Sequence, residues 1–245
     1  MNGIFYFSST GNSLFIANEI KKTLGGEVGY IPTYKCNAEK FDKIIIVSPI
    51  YSFGLPVHVF DFIPTLPKTV PVYIVLNFGG AVFGADGLAY EHAKNSGLDI
   101  KGVYTVKMPE NYTLDFTVPL AYQKKILKKA PDLVEKVIEK IRNDEMNFPK
   151  TKAKFAKIYY ENKGNWHKIA DDFRVTEKCI LCGKCVKLCP ADNISVNEGR
   201  VDFADKCVAC LGCYHRCPEK AIVYKNKKKD YRYFNPNVNE SELGK

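Results

Sequence analysis

The chain has 245 residues, of which 46% are hydrophobic and 26% charged, a composition typical of a globular protein with an ample core. Its net charge of +9 is spread along the whole sequence, so no concentrated basic patch points to nucleic acid as a partner. No apolar run approaches the roughly 18 residues of a membrane-spanning helix and nothing resembles a signal peptide, so we expect a cytoplasmic protein without a membrane span.

The first 143 residues alternate short β-type runs with helical patterns. Five strands are predicted in the runs GIFYFS, EVGYIP, KIIIVSPIY, VYIVLNF and GVYTVKM. Helices are predicted in NSLFIANEIKKTL, VHVFDFIPTL, GLAYEHAKNSG and PLAYQKKILKKAPDLVEKVIEKIRND, with Pro131 expected to break the last one or to begin a new helix. This alternation predicts an α/β fold with a doubly wound parallel sheet of order 2-1-3-4-5, whose ligand site lies at the carboxyl ends of strands 1 and 3.

Residues 146–174 have neither strand alternation nor a flexible linker composition, and they predict a partly helical connector in which Trp166 and His167 serve packing. Residues 226–245 form a polar C-terminal tail with the segment KNKKKDYRYF. Such a segment could bind nucleic acid or a partner protein, but a solvated, mobile terminus is the favoured interpretation. The isolated Cys36 is interpreted as incidental.

The other eight cysteines form two copies of one motif. The segments CILCGKCVKLCP and CVACLGCYHRCP both follow the pattern C-x2-C-x2-C-x3-C-P and begin 28 residues apart, which indicates an internal duplication. Clustered cysteines in the reducing cytosol favour metal ligation over disulfides. A tetrahedral zinc site has no use for the third closely spaced cysteine in each copy, so zinc is the weaker alternative.

This doubled motif resembles that of bacterial ferredoxins, which carry two [4Fe-4S] clusters, and the resemblance covers about residues 175–225. It implies a small α+β ferredoxin-like domain in which the fourth cysteine of each copy binds the other copy's cluster. One cluster would then be bound by Cys179, Cys182, Cys185 and Cys217, and the other by Cys207, Cys210, Cys213 and Cys189. Clusters with four cysteine ligands perform one-electron transfer.

The segment SSTGNS follows the first predicted strand and opens the first predicted helix, where backbone amides and the helix dipole favour an anion. It resembles the phosphate-binding loop of flavodoxins, with the pattern T/S-x-T-G-N-S/T. The nicotinamide fingerprint G-x-G-x-x-G is absent, so FMN is favoured over NAD or FAD. The resemblance implies that the phosphate is bound by Ser8, Ser9, Thr10, Gly11, Asn12 and Ser13.

Two later segments follow strands 3 and 4, where a flavodoxin holds the flavin ring. The segment SPIYSFGLP is similar to a flavodoxin ring loop, and NFGGAVFG contains glycines that permit close backbone approach. Ring stacking by Tyr51 or Phe53 is expected, and the segment PENY at 109–112 is expected to complete the rim. The implied ring-binding residues are Pro49, Ile50, Tyr51, Ser52, Phe53, Gly54, Asn77, Phe78, Gly79, Gly80 and Phe83.

Taken together, the chain resembles the fused flavodoxin and dicluster-ferredoxin proteins of anaerobic bacteria and archaea. The expected organisation is a flavodoxin-like FMN domain (1–145), the connector (146–174), the 2×[4Fe-4S] domain (175–225) and the tail (226–245).

The resemblance implies an electron carrier that relays electrons between FMN and the two clusters and links a donor enzyme to an acceptor enzyme. The alternative is an FMN-dependent reductase of a small substrate, with a proton donor such as Tyr112, Tyr51 or His58. A third hypothesis is a non-redox binding module with structural or sensory clusters. The sequence specifies neither the donor nor the acceptor, and it leaves the oligomeric state open.

Overall fold

A five-stranded parallel sheet with the order β2-β1-β3-β4-β5 forms the centre of the first half of the chain. In this computed structural model the described residues are 1–35, 40–115, 117–149, 152–225 and 231–244. The strands are β1 (Asn2–Tyr6), β2 (Glu27–Tyr30), β3 (Lys43–Pro49), β4 (Pro71–Phe78) and β5 (Asp99–Lys107). The central strands are apolar and buried, as in sheets covered on both faces. The predicted fold class and strand order are therefore confirmed.

Helices cover both faces of this sheet. They are α1 (Asn12–Leu24), α2 (Val57–Phe62, continued by a 3-10 turn at Ile63–Thr65), α3 (Ala85–Asn95) and α4 (Leu120–Arg142). Right-handed crossovers place α1 on one face and α2 and α3 on the other, because the strand order reverses after β2. Helix α4 packs against α1. In the described part of the chain, no helix is both long enough and apolar enough to cross a lipid bilayer.

The expectation that Pro131 interrupts the last helix of this half is wrong. Helix α4 runs through Pro131 without a break. A proline inside a helix removes one backbone hydrogen bond and costs about 3 kcal/mol. Buried apolar residues nevertheless continue at helical spacing on both sides, among them Ile126, Ala130, Val134 and Ile138. Burial of this continuous face against the sheet and α1 outweighs the lost bond.

The connector folds into helix α5 (Ala156–Asn165) and a 3-10 segment at Trp166–Asp172 that lie against the loops after β3 and β4. Tyr159 is fully buried and donates a hydrogen bond of 2.8 Å from its hydroxyl to the carbonyl oxygen of Leu55. Trp166 is buried, as predicted, with its ring edge-to-face against Tyr51 and Tyr159.

The cysteine-rich part has two small antiparallel sheets and two short helices. Strand β6 (Phe173–Val175) pairs with β9 (Ile222–Tyr224), and β7 (Ile194–Asn197) pairs with β8 (Arg200–Phe203). Helix α6 (Lys184–Leu188) belongs to the first cysteine motif and α7 (Gly212–Arg216) to the second. This α+β arrangement agrees with the predicted small second domain.

The C-terminal residues 231–244 are not the solvated tail that the sequence favoured. Tyr233, Asn235 and Leu243 are at most 6% exposed. The segment returns to the first strand and its loop, where the Asn235 amide donates to the carbonyl oxygen of Thr10 at 2.8 Å. Apolar and aromatic side chains spaced among the polar residues provide anchors that the average composition hides. We call residues 231–244 the C-terminal strap; residues 226–230 and Cys36 lie outside the described residues.

Candidate cofactor sites

A cavity lies at the carboxyl ends of the parallel strands, where the loops after β1, β3, β4 and β5 converge. It encloses about 310 Å³ of empty space, including its open mouth. The lining residues are Ser8, Ser9, Thr10, Asn12, Ser13, Pro49, Ile50, Asn77, Phe78, Gly79, Pro109, Glu110 and Asn111. This is the strand-order reversal at which doubly wound sheets bind ligands, as the sequence predicted. We call it the sheet-edge cavity.

The loop at residues 8–13 is shaped to accept an anion. Gly11 adopts a left-handed backbone conformation with φ of 90°, and its amide donates to the Ser8 hydroxyl oxygen at 3.0 Å. Within the described residues, no acceptor is found for the backbone N–H groups of Ser9, Thr10 and Ser13, although all three residues are buried. The first N–H groups of a helix have no partner inside the helix, and there the dipole favours negative charge.

Hydrogen bonds between buried side chains connect this loop to its neighbours. Asn77 donates from Nδ2 to the Ser13 hydroxyl oxygen at 2.8 Å, which joins the end of β4 to the start of α1. Asn12 donates from Nδ2 to the carbonyl oxygen of Pro109 at 3.0 Å. The predicted rim segment after β5 therefore takes part in the cavity wall. The described wall contains no lysine or arginine, so an anion there would be held by neutral donors and the helix dipole.

Several residues predicted to contact the ring do not line the cavity. They are Tyr51, Ser52, Phe53, Gly54, Gly80 and Phe83. Gly11 of the phosphate loop does not line the cavity either, because Asn235 and Val238 of the strap pack against it. Phe53 lies instead against Phe83 and Phe155, with ring centroids 5.6 and 5.0 Å away. The connector explains this arrangement, because it supplies Phe155 and covers the loops after β3 and β4.

Tyr51 lies behind the phosphate loop, and its stacking on a flavin ring stays a prediction. Its hydroxyl is 3.3 Å from the Ser9 hydroxyl, and its ring contacts Phe7 and Trp166 edge-on. Burial raises the pKa of the Tyr51 phenol above its usual value. Tyr51 is therefore a neutral packing residue between the cavity and the connector.

The eight motif cysteines surround two further cavities, each of which takes three cysteines from one motif and one from the other. We call the first the outer cradle and the second the inner cradle. The outer cradle contains Cys179, Cys182, Cys185 and Cys217. The inner cradle contains Cys207, Cys210, Cys213 and Cys189. These are the two groups that the ferredoxin resemblance implied.

The two motifs share one backbone conformation as well as one spacing. Equivalent positions of the two copies adopt left-handed conformations, namely Leu181 with Ala209, Gly183 with Leu211, and Asp192 with Lys220. Four residues after each crossing cysteine, a backbone amide donates to its sulfur, from Asn193 to Cys189 at 3.2 Å and from Ala221 to Cys217 at 3.3 Å. Left-handed turns let successive amides face a cavity, as in known Fe–S sites.

The chemistry of the inner cradle suits iron–sulfur ligation. Its wall is mostly apolar, and burial raises the pKa of Cys213 well above normal and that of Cys210 to about 12. Thiolates in such a setting require a positively charged partner. No group of three or more described His, Cys, Asp or Glu side chains is close enough to hold a single metal ion.

The inner cradle adjoins the sheet-edge cavity. Gly212, between two inner-cradle cysteines, lies so close to the phosphate loop that a Cβ atom built on it would be 3.6 Å from the Ser9 Cβ. His215 donates from Nε2 to the carbonyl oxygen of Asn111 at 2.7 Å and accepts at Nδ1 from the Tyr233 amide at 3.1 Å. These partners fix the ring's neutral tautomer, because a carbonyl only accepts and an amide N–H only donates.

The outer cradle lies at the protein surface. Cys182 is exposed, and the neighbouring Ile180 and Leu181 are 63% and 43% exposed. The two cradles thus differ in environment: the inner one faces the flavodoxin-like half and the outer one faces solvent.

Comparisons with known proteins agree with the division of the chain into a flavodoxin-like part and a cysteine-rich part. A family model described as a flavodoxin domain matches residues 3–77, and one described as a 4Fe-4S dicluster domain matches residues 171–218. No curated protein matches the chain.

Among solved structures, the chain is similar to flavodoxins. One from Fusobacterium nucleatum, bound to flavin mononucleotide, is 18% identical over 58% of this chain and 97% of that chain, with a TM-score of 0.43. The two-electron reduced Megasphaera elsdenii flavodoxin is 23% identical over 57% of this chain and 99% of that chain, with a TM-score of 0.38.

A third similar structure is the rubredoxin oxygen:oxidoreductase of the anaerobe Desulfovibrio gigas. It is 15% identical over 56% of this chain, with a TM-score of 0.36, and the match spans only 36% of that enzyme. The two family matches agree with the cofactors expected from the sequence, FMN and two [4Fe-4S] clusters. The chain thus joins a segment that matches a flavodoxin domain to a segment that matches a 4Fe-4S dicluster domain.

Proposed function

We propose that this chain is an electron carrier in which FMN in the sheet-edge cavity exchanges electrons with two [4Fe-4S] clusters in the cradles. The observation that carries the proposal is the proximity of Gly212, which lies between two inner-cradle cysteines, to Ser9 of the phosphate loop. It brings a one-electron centre next to a flavin site within one chain. Electron transfer between them is then intramolecular and needs no encounter between proteins.

The residues around the cavity have separate tasks in this proposal. The backbone N–H groups of Ser9, Thr10 and Ser13 bind the phosphate, while Ile50, Phe78 and Pro109 exclude water from the flavin. Bound FMN supplies a centre that accepts two electrons and releases them singly. The four cysteines of each cradle bind one cluster, which carries one electron at a time.

The positions of the cradles support one order of electron transfer. A cluster held by the inner cradle would exchange electrons with the flavin, and one held by the outer cradle would exchange them with a protein partner at the surface around Ile180 and Cys182. The carrier would link a donor enzyme to an acceptor enzyme. Eight described cysteines without disulfides fit a reducing compartment, and we propose the cytoplasm of an anaerobe.

The reductase alternative receives less support from the geometry. None of its three proposed proton donors lines the sheet-edge cavity. Tyr112 donates from its hydroxyl to the Asp115 carboxylate at 2.8 Å. His58, on helix α2, packs against the ring of Phe7, and burial lowers the pKa of its imidazole. Tyr51 is occupied with Ser9.

Anaerobic reconstitution with iron, sulfide and FMN tests the proposal. We expect about eight irons and one FMN per chain, and stepwise bleaching of cluster and flavin absorption during reductive titration. Cys182→Ser should remove the outer cluster, halve the iron content, keep FMN and slow reduction by a protein donor. Cys36→Ser, a cysteine outside both motifs, serves as the control. Absence of bound FMN or an iron content near that of one cluster in the unmodified chain would disprove the proposal.

A further inference from the structure

We propose that the C-terminal strap is part of the phosphate site, and that Tyr233 and Asn235 are positioning residues that hold the phosphate loop in its anion-binding conformation. This inference rests on the proposed binding of FMN in the sheet-edge cavity. It assigns a binding role to a segment that neither family match covers and that the sequence favoured as a mobile terminus.

The strap fixes the side chain of Asn12. The Tyr233 hydroxyl donates to Asn12 Oδ1 at 2.6 Å, and Asn235 Nδ2 donates to the same oxygen at 3.1 Å. All three residues are almost completely buried. With its oxygen held by two donors, Asn12 directs its Nδ2 to the carbonyl oxygen of Pro109. The first residue of α1 is therefore tied to the rim of the cavity by an amide that the strap orients.

The strap also sets the orientation of the peptide between Thr10 and Gly11. The backbone N–H of Asn235 donates to the carbonyl oxygen of this peptide, which belongs to Thr10. The N–H of the same peptide, which belongs to Gly11, donates to the Ser8 hydroxyl oxygen. The carbonyl and N–H of a trans peptide point in opposite directions, so both bonds select one orientation. A carbonyl oxygen carries partial negative charge, and the bond to the strap keeps it away from an anion.

Contacts at the far end keep the strap in place. Glu240 accepts hydrogen bonds from Arg216 and Lys184 at 2.8 Å each, which connects the strap to both short cluster-domain helices. The Gly244 amide donates to the Tyr6 hydroxyl at 3.2 Å, beside the buried Leu243. The strap therefore spans from β1 to the cluster domain across the phosphate loop.

Comparison of FMN with riboflavin tests this role, because riboflavin has the same ring but no phosphate. The experiment uses the full chain with its clusters and without flavin, and measures the dissociation constant of each flavin by fluorescence. For the double variant Tyr233→Phe/Asn235→Ala we expect FMN affinity to fall about tenfold while riboflavin affinity stays unchanged. Tyr233→Phe alone, which removes one hydroxyl, should cause a smaller loss of the same kind.

Asn237→Ala is the matched control, since its exposed side chain lies in the same turn and, among the described residues, only its backbone N–H is found to be hydrogen-bonded. It should bind both flavins like the unmodified chain. Iron content and the unfolding midpoint, measured for every variant, identify any that fails to fold. An unchanged FMN affinity in the double variant, or an equal loss for both flavins, would overturn the inference. If the unmodified chain binds neither flavin, the proposed function itself fails.

Discussion

Gly11 occupies a position that no other residue fits. Its φ of 90° is a conformation that side chains disfavour, and a Cβ atom built there would lie 2.6 Å from Val238 Cγ2 and 3.1 Å from Asn235 Cβ. Glycine is thus required twice, once by the backbone of the phosphate loop and once by the strap packed on it. The first requirement is visible in the loop motif, whereas the second exists only in the folded chain.

We expect Gly11→Ala to lower the free energy of unfolding by about 1–2 kcal/mol or more, because it combines left-handed strain with a clash. FMN binding should weaken as well. Anaerobic urea unfolding and flavin titration measure both effects. Gly164→Ala is the control: Gly164 lies in helix α5 with open space around its Cα, so alanine there should be neutral or slightly stabilising. Equal stability of the two variants would contradict the argument.

At the scale of elements, helix α5 of the connector is held by one large side chain. Tyr159 is fully buried against Gly54 and Trp166 and donates to the Leu55 carbonyl oxygen. The connector therefore closes over the loops after β3 and β4, which the sequence predicted to line the flavin ring.

Tyr159→Ala should destabilise the chain by about 3–5 kcal/mol, because it removes a buried aromatic side chain and leaves a cavity. Tyr159→Phe removes only the hydroxyl and should cost about 1 kcal/mol. Urea unfolding followed by the fluorescence of Trp166, the only tryptophan, reports both changes. A cost for Tyr159→Ala no larger than that for Tyr159→Phe would show that the connector is not packed as described.

The strap is an element whose attachment depends on pH. Burial opposes ionisation of Glu240, but Lys184 and Arg216 outweigh it and keep its carboxyl pKa below the usual value. A lowered pKa in the folded state means that the ion pairs stabilise the fold above the ordinary glutamate pKa of about 4.3. This contribution is lost as the pH falls through the lower folded-state pKa.

We therefore expect hydrogen exchange in residues 231–244, corrected for its intrinsic pH dependence, to accelerate as the pH is lowered from 6 to below 4. In Glu240→Gln, exchange of these residues should already be fast at pH 6. It should not accelerate further as the pH falls, because this variant has no ion pairs at residue 240 to lose. Glu219→Gln removes an exposed carboxyl for which no ion pair is found in the described residues, and it should behave like the unmodified chain. Identical profiles for Glu240→Gln and Glu219→Gln would refute the ion-pair role.

At the scale of the whole molecule, His215 joins three parts of the chain. It belongs to helix α7 of the cluster domain, bonds the loop after β5 through Asn111, and bonds the strap through Tyr233. The imidazole is almost completely buried, so loss of either hydrogen bond would leave a buried polar group without a partner. This residue couples the position of the inner cradle to the cavity.

His215→Ala should lower the free energy of unfolding by about 2–3 kcal/mol, since two hydrogen bonds and their buried partners are affected. Electron transfer between the clusters and FMN, measured by anaerobic rapid mixing, should slow because the two sites are no longer held together. His167→Ala, in the connector, has no side-chain hydrogen bond in the described part of the chain and serves as the control. Unchanged transfer in His215→Ala would exclude this coupling.

Features that depend on local spacing could be predicted from the amino-acid sequence alone. Strand and helix periodicity gave the α/β order, the loop at residues 8–13 indicated the anion site, and the doubled cysteine motif indicated two groups of four. Each of these is a short-range pattern: alternation of side chains along a strand, capping of one helix, or three cysteines within seven residues.

Which distant segments share a surface is known only from the folded chain. The connector covers the loops that carry Phe53 and Phe83, the strap covers Gly11, and the burial of one helix face overrides Pro131. These outcomes depend on contacts between residues as far apart as Asn12 and Tyr233. The free energy of such contacts comes from shape and buried partners in three dimensions, and no local pattern in either segment encodes it.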